Sequence, residues 1–167
     1  MESTGLKSRS TFENIKIDNM DLSVMSARAI TQEKFARMYN PLFLHGSDES
    51  VRAHLLHAIG NEFVKVYPMK AVIYTGGKKL FTDFKKLSPT ECFQKYHGYN
   101  VILVDGVDEI VLNNELVEKF VALLEKLVSR DSQIVFTTGN EIETIQAVAR
   151  RVMRLKFPMG MMVEIRE

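Results

Sequence analysis

Five short apolar, β-prone runs punctuate the chain: Leu42–His45, Ala71–Thr75, Val101–Asp105, Ile134–Thr138 and Met161–Ile165. Each is too short for a helix and apolar at nearly every position. A strand with one face in water alternates polar and apolar residues, whereas a strand covered on both faces reads as a continuous apolar run. Helical patterns separate the runs. Asp21–Arg37 precedes the first and Val51–Val66 follows it. Lys78–Leu87 and Thr90–Tyr96 come before the third, Asn114–Ser129 before the fourth and Glu141–Arg154 before the last. The clearest stripe is Leu116, Val117, Phe120, Leu123, Leu124, Leu127 and Val128. Strand–helix alternation predicts an α/β three-layer sandwich around a five-stranded parallel sheet. One domain is expected over residues 11–167, after ten polar residues expected to be mobile.

Charge and cysteine content narrow the function classes. Twenty-two basic and twenty-one acidic residues leave a formal net charge of +1. That excludes binding nucleic acid by bulk positive charge. The single cysteine, Cys92, excludes an internal disulfide, and a reducing, cytoplasmic setting fits best. Cys92 has no evident histidine partner and reads as a structural thiol. No apolar run reaches the roughly 18 residues of a membrane span, so no membrane partner is expected. His54 and His57 share a helical face, but no third ligand is evident, and no metal site is expected.

Ligands of open parallel sheets sit at the carboxyl ends of the strands. Here the first strand ends at Gly46 and leads into a helix, where a phosphate-binding loop would lie. The run Tyr39-Asn40-Pro41-Leu42-Phe43-Leu44-His45-Gly46 resembles the strand entering the P-loop of DnaA, the bacterial replication initiator. His54-Leu55-Leu56-His57-Ala58-Ile59-Gly60-Asn61 resembles the helix leaving it, and Thr11-Phe12-Glu13-Asn14 resembles the motif that opens the family's ATPase domain. The likeness resumes at Phe93–Asp105, at Gln133–Thr138 and weakly at Arg150–Ile165. It implies a P-loop NTPase fold of the AAA+ type. The 167 residues are expected to hold that α/β core and not the family's helical lid or its DNA-binding helix-turn-helix.

Against the family's G-x-x-x-x-G-K-[ST] loop, only Gly46 matches. Val51 stands at the second glycine, Arg52 at the lysine and Ala53 at the Ser/Thr. A β-branched residue resists the backbone angles that glycine allows. Ala53 has no hydroxyl for Mg²⁺, and Arg52 is a planar fork rather than a compact ammonium. Asp48 and Glu49 add negative charge where phosphate would sit. A charged hydrogen bond contributes roughly 1.5–3 kcal/mol, so losing two weakens binding by about two orders of magnitude or more. Asp105 matches the Walker B aspartate, but the family's second acid is Gly106, with Asp108 and Glu109 two and three residues on. The polar sensor position falls on Gly139, and Lys156 falls near the arginine-finger position. The adenine-side loop reads Ile17-Asp18-Asn19-Met20. The expectation is therefore no catalytic residues, no cofactor, and at most residual nucleotide contact through Gly46, Arg52 and Asp105.

The +1 total hides patches. Lys65 to Lys86 holds six lysines and one acid, Asp83. There Lys78, Lys79, Lys85 and Lys86 mix with Phe81 and Phe84, as in single-strand binders, or form a solvated face with the phenylalanines inward. Asp105 to Glu125 holds six acids and one lysine, whereas Arg150 to Lys156 holds four cations and no acid. Opposed patches suit head-to-tail self-association or a protein partner, through Arg150, Arg151, Arg154 and Lys156 against Asp108 and Glu109. Three functions stay open. One is a non-hydrolysing interaction module of replication initiation, its partner a DnaA-type ATPase or replication factor. The others are a weak nucleotide-binding switch and single-stranded DNA binding through Lys65–Lys86.

Overall fold

A computed structural model of the chain describes residues 5–32, 38–139 and 160–166. Five strands form one sheet: β1 (Leu42–His45), β2 (Val72–Gly76), β3 (Val101–Asp105), β4 (Gln133–Thr138) and β5 (Met161–Glu164). They lie in the order β2-β3-β4-β1-β5, and every pairing is parallel. In register, Leu42 faces Val135 on one side and Met161 on the other, while Val101 faces Val72 and Gln133. The helices are α1 (Leu22–Ile30), α2 (Glu49–Val66), α3 (Gly77–Lys86), α4 (Pro89–Tyr96), α5 (Asp108–Val111) and α6 (Asn114–Ser129).

The continuous apolar runs are explained by two cores. Leu42, Leu44, Val101, Leu103, Val135 and Val163 point to one face, where Val24 and Ala27 of α1 and Leu55, Leu56, Ile59 and Phe63 of α2 cover them. Phe43, Ile102, Val104, Ile134 and Phe136 point to the other, beneath Leu80, Phe84, Cys92, Tyr96, Ile110 and Phe120 of α3 to α6. Period-two alternation on a pleated strand supplies both faces from one run. The three-layer sandwich is as expected.

Most boundaries move by one or two residues, as terminal turns do. The helix expected over Asp21–Arg37 ends at Ile30, with Asp21 as N-cap and Thr31 as C-cap; residues 33–37 lie outside the described ones. The helix expected over Glu141–Arg154 also lies outside them, as do Arg150, Arg151, Arg154 and Lys156. One element is additional. The four-residue α5 is too short to display a helical period.

Residues 5–10, expected to be mobile, lie against α2. Leu6 seats over Gly60, where any side chain would collide with it. The Lys7 amide donates to His57 Nδ1 at 3.2 Å. Asn61 Nδ2 donates to the carbonyls of Lys7 and Ser10, each at 2.8 Å. His54 Nε2 meets the Thr11 carbonyl at 2.8 Å. Composition alone missed this because the anchoring groups belong to α2, some fifty residues away.

Candidate functional site

The carboxyl ends of β1, β3 and β4 converge, and the loops that leave them form the candidate site. The Gly46 amide donates to the Thr138 carbonyl at 3.1 Å, so the loop after β1 starts bound to the end of β4. Asp48 is the N-cap of α2. Its Oδ1 accepts the Ser50 amide at 2.9 Å and the Val51 amide at 3.2 Å. Amides at the start of a helix are what binds an anion in a P-loop. Here the chain's own carboxylate holds two of them.

Arg52 completes the occlusion. Its side chain folds back, and Nη1 donates to the Gly46 carbonyl at 2.6 Å. The residue is only 8% exposed, and its buried Nε has no partner among the described residues. The guanidinium lies against Gly139, where an added Cβ would stand 2.9 Å from Nη1. The Arg at the lysine position and the Gly at the sensor position are therefore one packing solution. Arg52→Met keeps the stem and removes the charged bond to a part-buried carbonyl, which contributes roughly 1.5–3 kcal/mol. In a chain this size 1 kcal/mol moves the thermal midpoint by about 2–4 °C. The expected fall is about 3–12 °C by calorimetry.

Asp105 ends β3 with both oxygens engaged. Oδ1 accepts the Thr137 hydroxyl at 2.7 Å and Oδ2 the Tyr74 hydroxyl at 2.8 Å. Thr137 Oγ1 also accepts the Gly106 amide at 3.0 Å. Burial raises the Tyr74 hydroxyl pKa, and the bond to Asp105 raises it further, so the phenol stays protonated and donating. Asp108 Oδ1 accepts the Thr138 hydroxyl at 2.6 Å and the Gly139 amide at 2.8 Å. The acid expected on the interaction surface thus closes the β4 end, whereas Glu109 is exposed.

Gly106, at the position of the family's second acid, has φ +75°. A side chain there is strained by about 1–2 kcal/mol in the left-handed region. Taken together, these residues do not fit Mg²⁺-ATP. The helix start is capped from within, Arg52 fills the loop, Ala53 offers no hydroxyl, and Asp105 is committed to two hydroxyls. At the adenine-side loop, Asp18 Oδ1 takes the Met20 amide at 2.8 Å and leaves Met20 largely exposed. Among the described residues no group of three His, Cys, Asp or Glu could hold a metal ion.

Behind Asp105 the ring of His57 stacks on Tyr74 at 4.0 Å. Burial pushes the His57 pKa below its ordinary 6.5, and the Lys7 charge pushes it lower. Burial does the same to His45, at the end of β1. A group with a lowered folded pKa takes up protons on unfolding. Its penalty is absent above pH 6.5 and grows as pH falls below it. His57→Phe keeps the stack and removes the titration. The expected result is a smaller loss of thermal midpoint between pH 6.5 and 5 than in the natural chain.

The basic stretch lies elsewhere. Lys78, Lys79, Lys85 and Lys86 are all exposed on α3, while Gly77, Leu80, Asp83 and Phe84 are buried. Phe84 points into the core, and Phe81 is half-buried beneath Lys85, whose Nζ is 4.4 Å from the ring centre. The solvated face with its phenylalanines inward is what α3 shows at Phe84. The stretch's one acid, Asp83, is turned inward, taking the Tyr96 hydroxyl at 2.6 Å and Lys95 Nζ at 2.7 Å. Its charge therefore does not offset the lysine face. Gly76, the N-cap of α3, supplies no side-chain cap. The Cys92 thiol is buried and its pKa raised by burial, which keeps it protonated and unreactive. No helix among the described residues is long and apolar enough to cross a membrane.

Comparison with known proteins agrees with this architecture. The family model of the bacterial DnaA ATPase domain matches residues 6–164. The chromosomal replication initiator DnaA of Campylobacter jejuni is 28% identical over 98% of this chain, which spans 38% of that protein. Domain III of the Thermotoga maritima initiator superposes with a TM-score of 0.79 at 25% identity, covering 98% of this chain and 69% of that one. A replication initiator DnaA bound to AMPPCP and single-stranded DNA superposes with a TM-score of 0.75 at 26% identity, covering 97% of this chain and 51% of that one. With its parallel sheet, its P-loop position and a match over nearly its whole length, this chain belongs to the bacterial DnaA ATPase-domain family.

Proposed function

We propose that this domain is a non-hydrolysing DnaA-type module that acts through protein interaction in replication initiation. One observation carries the reading: Asp48 and Arg52 satisfy the loop that would otherwise take the phosphates. The scaffold that relatives use as an ATPase domain is kept, and its conformation no longer needs a nucleotide. Such a module fits a role as partner or cap of a DnaA-type ATPase. The test is ATP turnover by the purified chain beside Asp105→Asn. Equal background rates are expected. Hydrolysis that Asp105→Asn abolishes overturns the proposal, and calorimetric heat with ATP or ADP favours a weak nucleotide-binding switch instead.

A second reading rests on α3. Its first turn has no acid and no side-chain cap, and it carries Lys78 and Lys79 exposed. Cations there oppose the helix dipole by about 0.3–1 kcal/mol each, so the end attracts anions. Single-stranded DNA is the candidate ligand, as the DNA-bound relative suggests. Binding is expected to weaken steeply with salt. Lys78→Glu with Lys79→Glu is expected to remove it, and unchanged binding rules the patch out.

A further inference from the structure

On the face of the sheet covered by α3 to α6, a groove of about 230 Å³ runs between the end of α3, the start of α4 and the outer side of α6. Its floor and walls are Phe84, Leu87, Pro89, Cys92, Ala122 and Leu123. The groove exists because small side chains face each other. Cys92 sits on α4 and Ala122 on α6, and α4 enters directly from Pro89 under the Ser88–Glu91 capping box. An apolar cavity of about 150 Å³ already accepts a benzene ring. This one has room for one phenylalanine or leucine side chain with part of a neighbour.

Its rim is charged, and lysines outnumber acids among the lining residues. Lys119 and Lys126 line it from α6, and Glu118 is the one acid among the lining residues. The last turn of α3, which supplies Phe84 to the groove, carries exposed Lys85 and Lys86. Lys119 stands 3.8 Å from Glu115, a carboxylate 81% exposed, and such a loose surface pair is easily exchanged. Lys126 Nζ lies over the Phe93 ring, 5.9 Å from its centre.

We propose that this groove docks a protein segment that inserts one large apolar side chain and flanks it with carboxylates. An apolar anchor in a desolvated pocket, ringed by polar contacts, is the usual anatomy of a binding hot spot. Opposite charge at the rim sets orientation and partner choice. The most economical such segment is an amphipathic helix laid between α4 and α6. The groove is built on the helical layer and not on the loop after β1, so the assignment stands whether or not that loop binds nucleotide.

The test uses the full chain and a phage-displayed library of helical peptides, randomised along one face. Selected peptides are expected to share a Phe or Leu with Asp or Glu within one turn on either side. Ala122→Trp, at an exposed helix position, fills the groove and is expected to weaken their binding at least tenfold. Lys119→Glu with Lys126→Glu is expected to weaken them as much, and to restore binding to peptides whose acids are exchanged for lysine. Unchanged circular dichroism and thermal midpoint check that each variant folds, and either variant alone suffices. The proposal is overturned if no peptides enrich, if they bind the tryptophan variant equally, or if their anchors lack acidic neighbours. A concentration-dependent dimer that Ala122→Trp dissolves overturns it too, since a second copy would then cover the groove.

Discussion

Millimolar ATP with Mg²⁺ leaves the thermal midpoint of the natural chain unchanged, and raises that of a variant with the loop rebuilt. The variant carries Asp48→Ala, Val51→Gly, Arg52→Lys and Ala53→Thr. The first change frees the amides of Ser50 and Val51 that Asp48 now holds. The third withdraws the guanidinium from the Gly46 carbonyl. The second restores backbone freedom, and the fourth restores a hydroxyl. Without nucleotide the variant is weaker. A lost cap costs about 1 kcal/mol, a glycine inside a helix about as much, and the lost Arg52 bond more. With nucleotide at a hundred times its dissociation constant, binding adds about 2.7 kcal/mol. At about 2–4 °C per kcal/mol, the midpoint of the variant rises by about 5–11 °C when ATP is added. A comparable rise in the natural chain shows that Asp48 and Arg52 do not close the site. No rise in the variant shows that the obstruction lies beyond this loop.

Gly77→Ala unfolds the chain far below its natural midpoint. Gly77 is the first residue of α3, and it packs on the turn after β3. A Cβ there overlaps the carbonyl oxygen of Gly106, comes 2.7 Å from its carbon, and meets the Val107 Cα at 3.1 Å. All three are backbone atoms, so no rotamer relieves the overlap, and α3 or the turn must shift. The turn is pinned, because the Gly106 amide donates to Thr137 and the Val107 amide to the Thr137 carbonyl at 2.8 Å. Overpacking of a tight site costs about 1–3 kcal/mol and sometimes more, and a backbone overlap belongs at the upper end. A midpoint fall of about 6–12 °C follows. Gly98→Ala is the control. Nothing stands within 4 Å of its added Cβ, and its midpoint stays within about 2 °C. Equal effects at the two glycines overturn the packing account.

Strand positions were legible because a strand buried on both faces carries its signal in every residue. Leu42–His45 and Val101–Asp105 emerge with the boundaries that apolar continuity predicts. The site was legible only as residue types. Sequence shows an acid at 48, an arginine at 52 and glycines at 106 and 139. It does not show that Asp48 turns inward onto two amides, or that Arg52 folds back on Gly46 instead of keeping a positive charge for phosphate. Spacing assigns residues to elements; it does not give the χ angles that decide whether a guanidinium faces solvent or its own loop. The φ of +75° at Gly106 was equally hidden, because glycine permits positive φ without requiring it.

The contact between Arg52 and Gly139 also couples what substitutions at the two positions cost. While arginine occupies position 52, a side chain at 139 stands 2.9 Å from its Nη1, and the guanidinium must shift to make room. Once arginine shortens to lysine, position 139 is released and a polar residue there becomes tolerable. Substitution toward the family's lysine and polar sensor residue is therefore expected to depend on order: position 52 first, position 139 second, with the opposite order passing through a less stable intermediate. The pair works as a latch, in which each residue sets what the other position can hold.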